Sequence, residues 1–191
     1  MKRALGKYLP VKWEYLRDIL RGRKTATIRW GLLTVPHKRV YLECGGRVYG
    51  ELEILGVKHV KLSELSDEDA RQDGFYGLTE LIAALTRIYP DITPGDWVTV
   101  IRFRLVARYP TPVTRQELES ELSAEEAREL SREVLARGLV RSRDEYKMLL
   151  MLSKGLSFEE VAEALGPNYT PAYVKALISR VARRLSRYGY R

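Results

Sequence analysis

Two hydrophobic periods divide this chain, and the place where one gives way to the other fixes what it can fold into. Between residues 25 and 107 the apolar residues alternate at the period of strands. Val40 to Glu43 and Arg47 to Gly56 are two such runs, joined by Gly45-Gly46, a pair suited to a two-residue hairpin. After Pro110-Thr111-Pro112 the spacing is helical throughout. Proline cannot donate to a strand ladder or a helix, so the boundary is expected there, giving domains over 1–110 and 111–191. The expected class is α+β: an N-terminal β-barrel with short helices, followed by a small all-α domain. A chain of 191 residues is long enough to bury a core in each.

The first domain holds the segment richest in chemistry. Trp13, Leu16, Ile19 and Leu20 make one apolar helical face that ends at Gly22, a C-cap residue. From Thr25 the period becomes two, so Thr25, Thr27 and Arg29 point to one side of a strand and Ala26, Ile28 and Trp30 to the other. Lys24 stands at the hinge. Arg23, Lys24, Arg29, Lys38 and Arg39 form a basic rim beside Trp30, Tyr41 and Tyr49, with Thr25 a further candidate contact, suited to nucleic-acid phosphates and stacked bases. The alternative is ordinary packing, with the threonines as β-formers and Lys24 as a solvated helix cap. A P-loop is excluded, because Gly22-Arg23-Lys24-Thr25 lacks the earlier glycine and its spacer.

Gly22-Arg23-Lys24-Thr25-Ala26-Thr27-Ile28-Arg29 resembles the signature of the ASCH family, small barrels related in fold to PUA domains. The likeness continues in order through Cys44-Gly45-Gly46-Arg47, Asp73-Gly74-Phe75, Leu78-Thr79-Glu80-Leu81, Tyr89-Pro90 and Asp96 to Phe103, covering roughly residues 8–107. The resemblance implies either RNA binding, as in PUA domains, or amidohydrolase activity on an acetylated cytidine. The catalytic set it implies is Lys24, Thr27 and a carboxylate at Asp73, which is one methylene shorter than the glutamate of the pattern. In such an enzyme Thr27 would be the nucleophile and Lys24 the base, its pKa lowered by burial or by Arg23 and Arg29.

Four helices are expected in the second domain: Thr114 to Arg137, Ser142 to Lys154, one capped by Ser157-Phe158-Glu159-Glu160, and one begun by Thr170-Pro171. Tyr146 to Leu185 resembles the helix-turn-helix of sigma-factor region 4, which implies duplex DNA as a partner through residues 142–187. Val174, Leu177, Ile178, Val181 and Leu185 make the buried stripe. Lys175, Arg180, Arg183, Arg184 and Arg187 are the candidate nucleic-acid contacts, for phosphates more than for bases, since Pro171-Ala172-Tyr173 offers few donors.

The formal net charge is +8, distributed as +6 over residues 1–112, −4 over 113–173 and +6 over 174–191. Two basic regions around an acidic connector favour RNA, a nucleoside or DNA as partner. One cysteine and two distant histidines indicate neither a disulfide nor a metal site, and no cofactor is implied. No apolar run has transmembrane length and the N-terminus lacks a signal-peptide core, so no membrane is expected and the chain reads as cytoplasmic. Its arginine-rich composition suits a thermophile.

The expected function is nucleic-acid binding. The first alternative is the amidohydrolase, and the second is a ligand-sensing transcription regulator.

Overall fold

The computed structural model describes residues 3–187. In chain order the elements are β1 (Arg3–Ala4), β2 (Tyr8–Pro10), α1 (Trp13–Leu20), β3 (Ala26–Trp30), β4 (Leu33–Thr34), β5 (Arg39–Cys44), β6 (Arg47–Lys61), α2 (Asp67–Gln72), α3 (Leu78–Ile88), β7 (Trp97–Thr114), α4 (Arg115–Leu118), α5 (Ala124–Ala136), α6 (Arg143–Ser153), α7 (Phe158–Leu165) and α8 (Pro171–Arg187). A single 3-10 turn, Leu62–Glu64, precedes α2. The molecule is α+β. Its internal contacts fall into two units, Met1–Gly45 with Gly50–Val106, and Gly46–Tyr49 with Ala107–Arg191.

The first unit is built on a five-stranded mixed sheet in the order β2-β5-β6-β7-β3, with β1 and β4 paired separately. Strand β2 runs parallel to β5, and β3 antiparallel to β7 with Ile28 opposite Val100. The expected barrel is not formed: among the described residues β2 and β3 are edges and the sheet stays open. The reason lies at Pro10 and Arg29. Strand β2 has only three residues and ends in a proline, whose carbonyl accepts the Arg29 guanidinium at 2.6 Å. A side chain therefore bridges the gap that backbone pairing would have closed.

Helix α1 covers the sheet with Leu16 and Ile19 and stops at Gly22, whose φ of +72° is the left-handed end that glycine tolerates. Strand β3, the turn at Leu62–Leu65, α2 and α3 enclose a core of Ala26, Ile28, Leu62, Leu81, Leu85 and Val100.

In the second unit β7 does not break at Pro110 or Pro112 but continues to Thr114, so this unit contains strand as well as helix and is not all-α. The long connector helix expected from Thr114 to Arg137 is two helices, α4 and α5. Two capping boxes cut it: Thr114 receives the Glu117 N–H, and Ser123 the Glu126 N–H. Each serine or threonine also takes a carboxylate on its own N–H, which starts a helix wherever it falls. Ser142, Ser157 and Thr170 cap α6, α7 and α8 as the sequence indicates. These helices bury Val134, Leu149, Val161, Val174, Ile178 and Leu185.

Candidate functional site

Lys24 leaves α1 through the glycine turn and enters a pocket of the first unit that Tyr15, Thr27, Arg29 and Asp73 also line. Its side chain is only 3% exposed. The ammonium donates to the Asp73 backbone carbonyl at 2.7 Å and makes an ion pair with the Asp73 carboxylate. It also lies 4.9 Å from the centre of the Tyr15 ring.

The C-terminus of α2 brings Asp73 there. Phe75 N–H returns to the Ala70 carbonyl and Gly74 N–H to that of Arg71, a Schellman closure that needs the φ of +91° found at Gly74. A Cβ at Gly74 would make only ordinary contact with Lys24, 3.5 Å from its Cβ, so the backbone angle and not space is what calls for glycine. The shorter carboxylate reaches its partner because the helix end does the travelling. Gln72 fixes the other side by accepting the Thr25 N–H at 2.8 Å.

Burial pushes the Lys24 amine down to about 7, helped by the charge of Arg29 and opposed by that of Asp18. Arg29 makes the electrostatic contribution, not Arg23, which is exposed and paired with Asp18. A lysine normally near 10.5 is thus brought close to neutrality, while the ion pair with Asp73 favours its charged form. Thr27 is 6% exposed and lines the same space. Its side of β3 is expected to be a polar row, and Thr27 is buried on it.

Most of the remaining lining is apolar, from Val11, Ile28, Phe75, Leu81, Leu85 and Ile88, with Lys12 as a further cation. The cavity measures about 70 Å³, space for roughly five waters. It is a small pocket partly open to solvent and not a wide groove. Tyr15 and Phe75, in edge contact at 6.1 Å between centroids, were missing from the sequence-derived set. Phase alone could have flagged Tyr15, which stands next to Leu16 on α1.

The other predicted contacts lie elsewhere. Trp30 is 37% exposed and packs edge-on against Tyr89 at 5.7 Å. Lys38 pairs with Glu53 at 3.6 Å. Arg39 is exposed at the start of β5.

In the second unit Lys175 is half-buried, and Arg180, Arg183 and Arg184 of α8 are held by carboxylates of the same unit. Arg180 grips Glu117 with two bonds of 2.9 and 2.8 Å and donates to the Pro112 carbonyl at 2.7 Å. Arg183 bonds Gln116 at 2.7 Å and lies 3.1 Å from Glu117. Arg184 holds Glu145 at 3.1 and 2.7 Å and the Leu139 carbonyl at 3.1 Å. Helical phase puts these arginines opposite the core stripe but does not say that α4 and α6 meet them with acids. The Arg187 side chain lies outside the described residues.

Among the described residues no group of three or more His, Cys, Asp or Glu is placed to hold a metal ion. No helix there is long and apolar enough to cross a membrane.

No protein-family model matches the chain, and no curated protein matches it. Solved structures similar to it include an ASCH domain from Lactobacillus crispatus JV V101, with 15% identity over 55% of this chain and 79% of that one and a TM-score of 0.45. A DUF984-family protein from Enterococcus faecalis V583 gives 16% identity, 58% and 84% coverage and 0.43. A mutant ASCH protein from Zymomonas mobilis gives 15%, 62% and 85%, and 0.42. The chain's structural neighbours thus include ASCH domain structures at low identity.

Proposed function

We propose that the first unit is an amide hydrolase that removes a small acyl group from a modified nucleoside. The observation that carries this reading is the buried Lys24, pushed down to about 7, in a small pocket with Thr27 and Asp73. The neutral amine takes the Thr27 hydroxyl proton as Oγ attacks the acyl carbonyl. Arg29, which lines the pocket beside Lys24, offsets the charge that develops on the carbonyl oxygen. The C–N bond breaks, the Lys24 ammonium protonates the departing amine, and water cleaves the threonine ester to release the acid. Asp73 holds and orients Lys24. The nucleoside comes from the ASCH-like signature at residues 22–29, the acyl size from the small apolar pocket.

The test is incubation of the full chain with acetylated cytidine and measurement of the cytidine released. The wild type is expected to turn it over, and Thr27→Val, which keeps the shape and loses the hydroxyl, is expected not to. No turnover by the wild type removes this substrate, and turnover by Thr27→Val removes the nucleophile.

RNA binding is the second reading, favoured by aromatic side chains left in the open on a basic unit: Trp30, Trp97 at 45% exposure and Tyr76 at 97%. It requires affinity that falls steeply with salt. A role in duplex-DNA binding for residues 142–187 would need the Arg180 and Arg184 pairs to open.

A further inference from the structure

We propose that the second unit carries a ligand site of its own, a cleft beside α6 and α8 that takes a planar, uncharged heterocycle of the purine type. The cleft measures about 190 Å³, more than twice the Lys24 pocket, and every residue lining it belongs to this unit. Its walls combine three kinds of surface.

The first is aromatic. Tyr173 and Tyr169 line it, and their order is imposed from behind: Tyr173 stacks on Tyr109 at 4.1 Å and 14°, and its hydroxyl both accepts the Thr111 N–H and donates to the Thr111 carbonyl. Tyr169 leans on Tyr173 at 5.5 Å. A fixed ring wall favours a flat partner, because little side-chain entropy is lost on stacking.

The second is a donor surface. Arg180 and Arg184 both line the cleft, each locked by a two-bond carboxylate pair and a backbone carbonyl. A guanidinium has five N–H groups, and these contacts leave Arg180 Nη1 and Arg184 Nε with donors unspent among the described residues. The third is an acceptor surface at Asp144, whose carboxylate meets the Tyr169 hydroxyl.

Charge then decides between ligand classes. The two guanidinium charges are already matched by Glu117 and Glu145, and Asp144 adds a further negative charge. With Arg183 also on Glu117 the charges balance, so a phosphate or free carboxylate would meet no surplus positive charge, and the locked arginines serve as hydrogen-bond donors alone. An uncharged ring that has acceptors on one edge and N–H donors on another, and that stacks on tyrosine, matches all three surfaces. A purine base has this pattern.

The test titrates the full chain with guanosine, adenosine and inorganic phosphate, following heat and tyrosine fluorescence. A purine nucleoside is expected to bind saturably, with phosphate silent. Asp144→Asn is expected to weaken binding by about tenfold, Leu177→Trp, which fills the cleft, to abolish it, and Lys24→Met to leave it unchanged. Thermal melting of each variant confirms that the unit stays folded. Absence of binding by both nucleosides, equal binding of phosphate, or loss of binding in Lys24→Met but not in Asp144→Asn would each overturn the proposal.

Discussion

Lys24 and Arg180 are both cations withdrawn from water and set against a carboxylate, yet only one of them is equipped for chemistry. Lys24 meets Asp73 in a pocket where burial and Arg29 push its amine down to about 7, so it can lose and regain a proton near neutrality. Arg180 meets Glu117 through a planar two-bond fork, and a guanidinium keeps its proton at any ordinary pH. Burial raises Glu117, but the Arg180 bonds, the Thr114 N–H and the charges of Arg180 and Arg183 outweigh it and hold the carboxyl below its usual 4.5. The first pair has a proton to exchange. The second is a clamp that ties α8 to α4.

The comparison breaks first on activity. Lys24→Met is expected to reduce amide hydrolysis by about a thousandfold or more, whereas Arg180→Met leaves it untouched; steady-state release of cytidine reads both.

The next largest difference is in pH. The unfolded chain holds the Lys24 proton up to 10.5 and the folded chain only to about 7, so the unfolded state binds more protons in between. Stability from this group is lowest below 7 and climbs as pH rises through that window, by on the order of a few kcal/mol. Denaturant melts from pH 6 to 10.5 are expected to show the climb in the wild type and not in Lys24→Met. Glu117 acts in the opposite window. Its depressed value stabilises the fold above 4.5 and that contribution fades as pH falls below it.

Arg180→Met strands Glu117 without its main partner and is expected to cost about 2 kcal/mol, since the arginine is a third exposed. The midpoint of urea unfolding measures it. The smallest effect belongs to the cap that divides the connector. Ser123→Ala is expected to cost about 1 kcal/mol and to fray the start of α5, visible as faster amide exchange at Ala124 to Glu126.

The same contrast explains what was legible in the sequence. Local devices were readable: the glycine at 22, the caps at Ser66, Ser142, Ser157 and Thr170, and the period of two through β3 act over a few residues. Lys24, Thr27 and Asp73 were also named together, but through a family pattern, because nothing in residues 22–30 alone shows that an α2 terminus 49 positions away will close on them.

The failures are long-range. Pro110 and Pro112 were read as an end to strand structure, but β7 carries both to Thr114. Closure of the sheet was expected where Arg29 and Pro10 leave it open. The arginines of α8 were read as an outward face because phase reports direction and not the neighbour. Glu117 and Glu145, 63 and 39 residues distant, pair with Arg180 and Arg184.

The central claim is that Lys24 is a proton-exchanging amine at neutral pH. Titration of the lysine side-chain resonances by NMR, with Lys24 assigned through Lys24→Met, measures it directly. A midpoint near 7 is predicted, and a midpoint near the ordinary 10.5 would contradict the account.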